Sequence, residues 1–326
     1  MYKNTLKGFT MPELSLIMPA YNAGKTCEKA ILSVLNCKKD IELIIVDDGS
    51  LDNTFDICSR FQKNDNRIKL YRKSNGGVSS ARNYGLSVAL GKYVGFLDSD
   101  DCLGKDYFNK VFEGIQMGVD LILFGYSSMS EENRTGGWVP ISFENKDLLF
   151  KDLLCRAGGL NPPWNKIIKK SLVKTGFNEN KRMGEDLEFC CAFLKNIKTT
   201  YVIEEELYLY NIDSTGSLTK NINIVLQSIL EDIRVVSDFS NFIQCNVNNV
   251  ERFYQRTEGI LGSIKEKKEF LYALRFLLDS TEYMEYLLKN KPSKIKNKVI
   301  RFLLRMKLKN LLFFYLLIKR YLRGIF

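Results

Sequence analysis

Short apolar runs alternate with helix-patterned stretches along the first 124 residues, one strand roughly every 25 residues. LSLIM (14–18), ELIIV (42–46), residues 67–71 and KYVGFL (92–97) read as strands, and VDLILF (119–124) as another. Residues 26–36, 53–63 and 78–90 read as the helices between them. Strands without polar alternation, each followed by a helix, predict a parallel sheet covered on both faces. In an open sheet of this kind, ligands bind beyond the carboxyl ends of the strands. PAYN (19–22) follows the first strand, DDGS (47–50) the second and DSDD (98–101) the fourth, so the three polar clusters share one edge.

The regular pattern ends after residue 124. Residues 138–219 are mixed, with a helix at 185–195 and strands near 200–210, and from about residue 222 only helical periodicity remains. The expected fold is therefore α/β, a mostly parallel, Rossmann-like sheet with helices on both faces, followed by a helical C-terminal region. Its expected divisions are an α/β domain at 1–220, a helical extension at 221–288 and a basic tail at 289–326. The net charge of +10 belongs to that tail, whose 12 Lys and Arg face no Asp or Glu, leaving −2 (10 minus 12) for residues 1–288. A slightly acidic body does not suit nucleic acid, which asks for basic residues interleaved with exposed aromatics. The eight cysteines form no CxxC and there is no histidine, so thiol–imidazole metal sites are excluded and reduced thiols in a cytosolic protein are expected. No secretory type of apolar region stands at the N-terminus.

The stretch VGFLDSDD (94–101) places Asp98, Asp100 and Asp101 directly after an apolar strand. Like charges crowded at a strand end repel unless a cation sits among them. Two carboxylates one residue apart suit a hard divalent ion such as Mg2+ or Mn2+, which commonly completes its shell with phosphate oxygens. A solvated turn, or Asp101 capping the next helix, explains the same residues without a metal. VDDGSLDNT (46–54) similarly reads as a carboxylate positioned for a nucleobase edge or as an Asx turn into a helix capped near Asp52 or Asn53. NGGVSSARNYG (75–85) opens a helix on paired glycines, where free N–H groups attract phosphate, with Arg82 one turn in as a charge for a diphosphate.

PAYN, VDDGSLDNT, NGGVSSARNYG and FLDSDD, in this order and spacing, resemble family 2 of the glycosyltransferases, of the GT-A fold, over about residues 12–215. The resemblance implies inverting transfer of a sugar from a nucleoside diphosphate, usually UDP, to a hydroxyl of a glycan acceptor in cell-surface polysaccharide synthesis. Donor binding is implied for Pro19, Ala20, Tyr21, Asn22, Asp47, Asp48, Gly76, Arg82, Asp98 and Ser99, with Asp48 at the uracil. Asp100, with Asp98, is implied as ligand to Mn2+ or Mg2+. RMGEDLEF (182–189) supplies the family's Glu–Asp pair, with Asp186 as general base and Glu185 beside it. A hydroxyl acceptor needs such a base as it attacks. PPWNK (162–166) brings Trp164 and Asn165 to the acceptor side, although Trp164 reads equally well as core filling.

Two departures from the family pattern stand out. Asn211 and Asp213 occupy the region where the family often carries an Arg, which leaves Arg182 or Lys220 as diphosphate contacts. The Gln-x-x-Arg-Trp element and the membrane spans of processive synthases are missing, so one sugar per encounter is expected. In the tail, Lys294, Lys298, Arg301, Arg305 and Lys309 form a helical stripe, and the longest apolar run, Leu311 to Ile318, is too short to span a bilayer. A basic amphipathic helix on an anionic membrane surface is expected, at the inner face of the cell membrane, which suits an acceptor carried on a polyprenyl diphosphate. A helix packed on the protein itself is the alternative. A nucleotidyltransferase would more often place basic residues after the first strand, where PAYNAG has none, and a non-catalytic scaffold has no need of Asp98, Asp100 and Asp186.

Overall fold

The structure, a computed structural model, describes residues 11–130, 134–155, 159–181, 183–212 and 222–242. Beyond these it describes 257–258, 261, 264, 267–280, 283–284, 300–304, 312 and 315–316. The chain divides into two compact units, one of Met1–Ser142, Pro162–Glu179 and Ala192–Ser214, the other of Phe143–Asn161, Asn180–Cys191 and Thr215–Phe326.

The first unit is built on strands β1 (Leu14–Ala20), β2 (Ile41–Asp47), β3 (Ile68–Arg72) and β4 (Tyr93–Phe96), joined by helices α1 (Cys27–Leu35), α2 (Thr54–Asn64) and α3 (Val78–Val88). Each lies where the apolar pattern predicts it. Every residue of β1, β2 and β4 is buried, as expected for strands covered on both faces. β5 (Cys102–Leu103), α4 (Tyr107–Met117), β6 (Leu121–Met129), β7 (Arg134–Trp138), β8 (Lys166–Lys169) and β9 (Thr200–Asn211) complete the unit. The sheet order is β3-β2-β1-β4-β8-β6-β9-β5, with β7 beside β6. The β3-β2-β1-β4 half and the β6–β9 pair are parallel. β8 is antiparallel to β4 and β6, as are β7 to β6 and β5 to β9. The sheet thus matches the expected α/β class while its second half is mixed.

Two polar side chains interrupt the apolar run at the amino ends of β1 and β2. Ser15 Oγ donates to Glu42 Oε1 at 2.6 Å, and Leu90 N–H donates to the same oxygen at 2.7 Å. Gly91 N–H donates to Ser15 Oγ at 2.8 Å. This network pins the turn between α3 and β4 at the edge away from the polar clusters. Higher on α3, Gly85 lies directly on β1, where a Cβ would stand 2.4 Å from Ile17 Cγ2. The missing side chain is what lets the helix approach the sheet this closely.

The second unit holds α5 (Lys146–Cys155), the start of α6 (Glu185–Leu194), α7 (Ile222–Phe242) and α8 (Lys267–Asp279). Phe270, Ala273, Leu274 and Leu277 repeat at helical spacing along α8 and are buried together with Leu261, Ile300, Leu304, Leu312 and Leu316. Of the described apolar residues of the basic tail, Ile300, Leu303, Leu304, Leu312 and Leu316 are buried in this cluster while Phe302 is exposed, and the basic stripe lies outside the described residues apart from Arg301. No helix among the described residues is long and apolar enough to cross a membrane.

Candidate active site

The loops after β1 and β2 are laced together by hydrogen bonds. Asn22 sits in the left-handed region at φ 49°, a conformation Asn tolerates. Its N–H donates to Ser50 Oγ at 2.9 Å, and its Oδ1 accepts from Leu51 N–H at 2.9 Å. Ala23 N–H donates to Thr54 Oγ1 at 2.7 Å, and Gly24 N–H to Asp52 Oδ2 at 3.0 Å. Asp52 Oδ1 in turn accepts from Thr54 N–H, an Asx turn leading into α2, whose flanking residue Asn53 makes no side-chain cap hydrogen bond. Pro19 and Ala20 are buried in β1, and Ala20 O accepts from Asp48 N–H at 2.8 Å. Tyr21 is 49% exposed, an open aromatic ring at the mouth of these loops.

Both aspartates of DDGS are fixed from the β3–α3 connection. Asp47 accepts from Ser50 N–H at 3.1 Å, and Arg72 Nε lies 3.1 Å from its Oδ2 as an ion pair without an aligned hydrogen bond. Arg72 also lies over the Phe55 ring. Asp48 is held more completely. Lys73 Nζ donates to its Oδ1 at 2.7 Å, Gly76 N–H reaches both oxygens at 3.0 and 3.2 Å, and Gly77 N–H donates to Oδ2 at 2.7 Å. The Gly-Gly amides, read in the sequence as a phosphate cradle, thus bind a carboxylate of the protein. Any ligand at Asp48 would share that carboxylate with these three donors. Gly49, at φ 76°, makes the turn that brings these segments together.

The DSDD turn is anchored from two sides. Arg82, 3% exposed, donates to Asp98 Oδ1 at 2.9 Å, and its guanidinium lies 5.2 Å from the centre of the Phe177 ring. Expected at a diphosphate, Arg82 instead points inward, because its planar face packs on Phe177 while its charge meets Asp98. Asn83 beside it exchanges hydrogen bonds with Phe177, accepting from its N–H at 2.7 Å and donating to its carbonyl at 2.8 Å. On the other side Asp101, 1% exposed, accepts from Tyr208 Oη–H at 2.6 Å and from Asn211 N–H at 2.7 Å. Asp101 does not cap α4, whose flanking residue is Asp106. Burial first, and then the charges of Asp98 and Asp100, push the Asp101 carboxyl up to about 8 against those two hydrogen bonds.

Asp98, Ser99 and Asp100 remain partly exposed at the turn. Among the described residues no three His, Cys, Asp or Glu side chains are grouped to hold a metal by themselves. An oxygen-only pair at a partly open turn does fit Mg2+ or Mn2+ completed by phosphate oxygens. Behind the turn, Trp164 is 8% exposed and stacks on Tyr208 at 4.3 Å and on Tyr210 at 5.7 Å, with Tyr126 edge-on at 4.9 Å. The ring offered to solvent is Tyr210, 37% exposed; burial and the charges of Asp101, Asp100 and Asp98 raise its hydroxyl pKa. Asn165 is fully buried and accepts from Lys166 Nζ at 2.7 Å, so it supports the core and does not line an open face. Glu185 and Asp186 open α6 in the second unit. Arg182, Asp213 and Lys220 lie outside the described residues. Arg72, Lys73, Tyr208 and Tyr210 are site residues that sequence reasoning did not single out. The alternation in YLYN, which puts Tyr208 and Tyr210 on one face of a strand, is the signal that was there to find.

The mixed α/β sheet gathers polar turns at the carboxyl ends of β1, β2 and β4, those after β2 and β4 acidic, at the edge where open sheets of this kind bind ligands. The sequence profile of glycosyl transferase family 2 matches residues 15–177, and the chain belongs to that family. It is 30% identical over 222 residues to the uncharacterized glycosyltransferase EpsJ of Bacillus subtilis, covering 64% of each chain. It is 32% identical over 226 residues to the poly(ribitol-phosphate) beta-N-acetylglucosaminyltransferase TarP of Staphylococcus aureus, covering 65% of this chain and 67% of TarP. Among solved structures it is similar in fold to residues 1–349 of S. aureus TarS in complex with UDP-GlcNAc, at TM-score 0.64 and 20% identity over 96% of this chain and 92% of that one. The chain is thus a family 2 glycosyltransferase with a fold like that of TarS.

Proposed function

We propose that this chain moves one sugar per encounter from a UDP-sugar to a hydroxyl of a lipid-linked glycan acceptor, with inversion at the anomeric carbon. The observation that carries the reading is the convergence of the PAYN, DDGS and DSDD segments on one sheet edge, with their carboxylates held in place by Arg72, Lys73, Arg82 and Tyr208. UDP-GlcNAc is the first donor to try, on the strength of the TarS complex and of the sugar in TarP's name.

In this reading the β1 and β2 loops receive the nucleoside, with Tyr21 as the open ring and Asp48 sharing its carboxylate with the base. Asp98 and Asp100 would hold Mn2+ or Mg2+, and the ion supplies charge neutralisation on the departing diphosphate. Asp186, in the acidic first turn of α6, takes the proton from the acceptor hydroxyl as its oxygen forms the new bond to the anomeric carbon. The bond from that carbon to the diphosphate breaks in the same step, and UDP carries away the electron pair. No covalent intermediate on the enzyme is needed.

The test is calorimetric titration of the purified chain with UDP, with and without Mn2+, beside an Asp100→Ala variant. Metal-dependent UDP binding that the variant loses is the expected result. Binding that ignores both the metal and the variant refutes the assignment of Asp100, and absence of UDP binding in every condition refutes the donor itself.

A further inference from the structure

Tyr208 belongs to β9, far along the chain from the DSDD turn, yet its hydroxyl makes two contacts inside that turn. It donates to Asp101 Oδ2 at 2.6 Å and accepts from the Asp98 backbone N–H at 3.1 Å. The other Asp101 oxygen accepts from Asn211 N–H at 2.7 Å, so the carboxylate is bound at both oxygens by the same strand. Within the turn, Asp101 N–H donates to Asp98 O at 3.1 Å, closing the loop on itself. The Tyr208 ring cannot drift from this place, because it is fully buried and stacked on Trp164 at an interplanar angle of 12°.

We propose that Tyr208 is a positioning residue for the metal-binding turn, and that the third aspartate of DSDD is its handle and not a metal ligand. The pair Asp98 and Asp100 gains its geometry from two fixed points: Arg82 holds the Asp98 side chain, and Tyr208 with Asn211 holds the Asp98 N–H and the Asp101 carboxylate on either side of Asp100. A divalent ion is sensitive to that geometry because its ligand oxygens must converge at a set distance. Loss of the phenol hydroxyl leaves the Asp101 carboxylate and the Asp98 N–H short of a partner while the ring, its stacking and the fold remain. The inference rests on the metal-assisted UDP site proposed above.

The experiment uses the full chain as wild type, Tyr208→Phe, Asp101→Asn and Tyr201→Phe, the last the same change on the same strand at a hydroxyl that donates to Glu113 Oε2 at 2.8 Å and not to the turn. Mn2+ binding in the presence of UDP is read from the spin-resonance signal of free Mn2+, and uridine binding without metal is read by calorimetry. Tyr208→Phe and Asp101→Asn should weaken Mn2+ binding about tenfold, the effect of one buried hydrogen bond, and leave uridine binding within twofold. Tyr201→Phe should match wild type in both. Equal Mn2+ affinity in wild type and Tyr208→Phe, with both folded, overturns the proposal. If Tyr208→Phe does not fold, Asp101→Asn alone decides by the same criterion. Wild type that binds UDP without any metal dependence overturns the underlying donor-site reading and this inference with it, a result separable from the first because it appears before any substitution is made.

Discussion

Removing the Asp48 side chain tests how the nucleotide edge is assembled. Its carboxylate is nearly buried and receives Lys73 Nζ, Gly76 N–H and Gly77 N–H. Breaking a buried ion pair from one side costs about 3–5 kcal/mol, because the partner groups are left without compensation. Lys73 keeps 20% of its side chain exposed and regains water, so Asp48→Ala should fall at the lower end, about 3 kcal/mol. That is a large share of the roughly 5–15 kcal/mol by which a folded domain is stable. The chain offers a clean assay. Its two tryptophans, Trp138 and Trp164, both lie in the sheet unit, so their fluorescence in urea follows that unit alone. Lys73→Met and the double variant complete a cycle whose coupling should be about 1–2 kcal/mol. Lys73→Met also leaves the carboxylate in place, so UDP binding that survives in it and is lost in Asp48→Ala separates a base contact from mere loop anchoring. A folded Asp48→Ala within 0.5 kcal/mol of wild type, on the scale of an ordinary surface substitution, would falsify the anchoring argument.

Two further outcomes follow from the packing and charge of the same unit. Gly85→Ala gains about 1 kcal/mol of helix propensity, but its methyl meets the buried Ile17 Cγ2 at 2.4 Å. Overpacking of about 1–3 kcal/mol should leave the variant less stable, and a urea midpoint at or above that of wild type would show that α3 has room to move. Asp65, less than a quarter exposed, binds Arg67 through both oxygens, and that hydrogen bond holds its carboxyl below the usual carboxylate value against a smaller cost of burial. A depressed folded value means that its stabilisation is present above the unfolded pKa and is lost as pH falls through the folded one. Asp65→Asn should therefore flatten the acid limb of the stability profile, and an unchanged slope below pH of about 4 would contradict this.

The two halves of the sheet differ in how much of them the amino-acid order reveals. β1, β2 and β4 are buried on both faces, so each must be an unbroken apolar run, and such runs are visible without any partner. β8 is KIIK, four residues with a lysine at each end, and its place between β4 and β6 comes from antiparallel pairings that no local pattern encodes. β5 has two residues and exists only because β9 lies beside it. The site divides in the same way. DDGS and DSDD announce themselves because carboxylates concentrated at strand ends are costly and rarely accidental. Tyr208 and Asn211 are 107 and 110 residues from the aspartate they hold, so nothing near either end marks the contact. The inward direction of Arg82 is hidden for a related reason, being set by Phe177, which the fold alone brings to it.

The counter-charges of the donor edge come from one short piece of chain. DDGS and DSDD end strands that lie on either side of β1, and the cations paired with them are Arg72, Lys73 and Arg82, all within the crossover from β3 through α3 to β4. Asp47 and Asp48 are met where β3 ends, and Asp98 is met one turn into α3. The placement of α3 against β1 therefore decides the electrostatics of both acidic motifs at once. That placement is fixed by the absent side chain of Gly85 over Ile17 and by the paired hydrogen bonds of Asn83 with Phe177. A shift of α3 by an ångström moves Arg82 out of contact with Asp98 and drags the Gly76 and Gly77 amides from Asp48. Gly85→Ala should then do more than destabilise. It should weaken metal-dependent UDP binding through Asp98 although it touches neither metal nor nucleotide, and added urea-counteracting osmolyte, which restores stability without restoring the helix position, should not recover that binding.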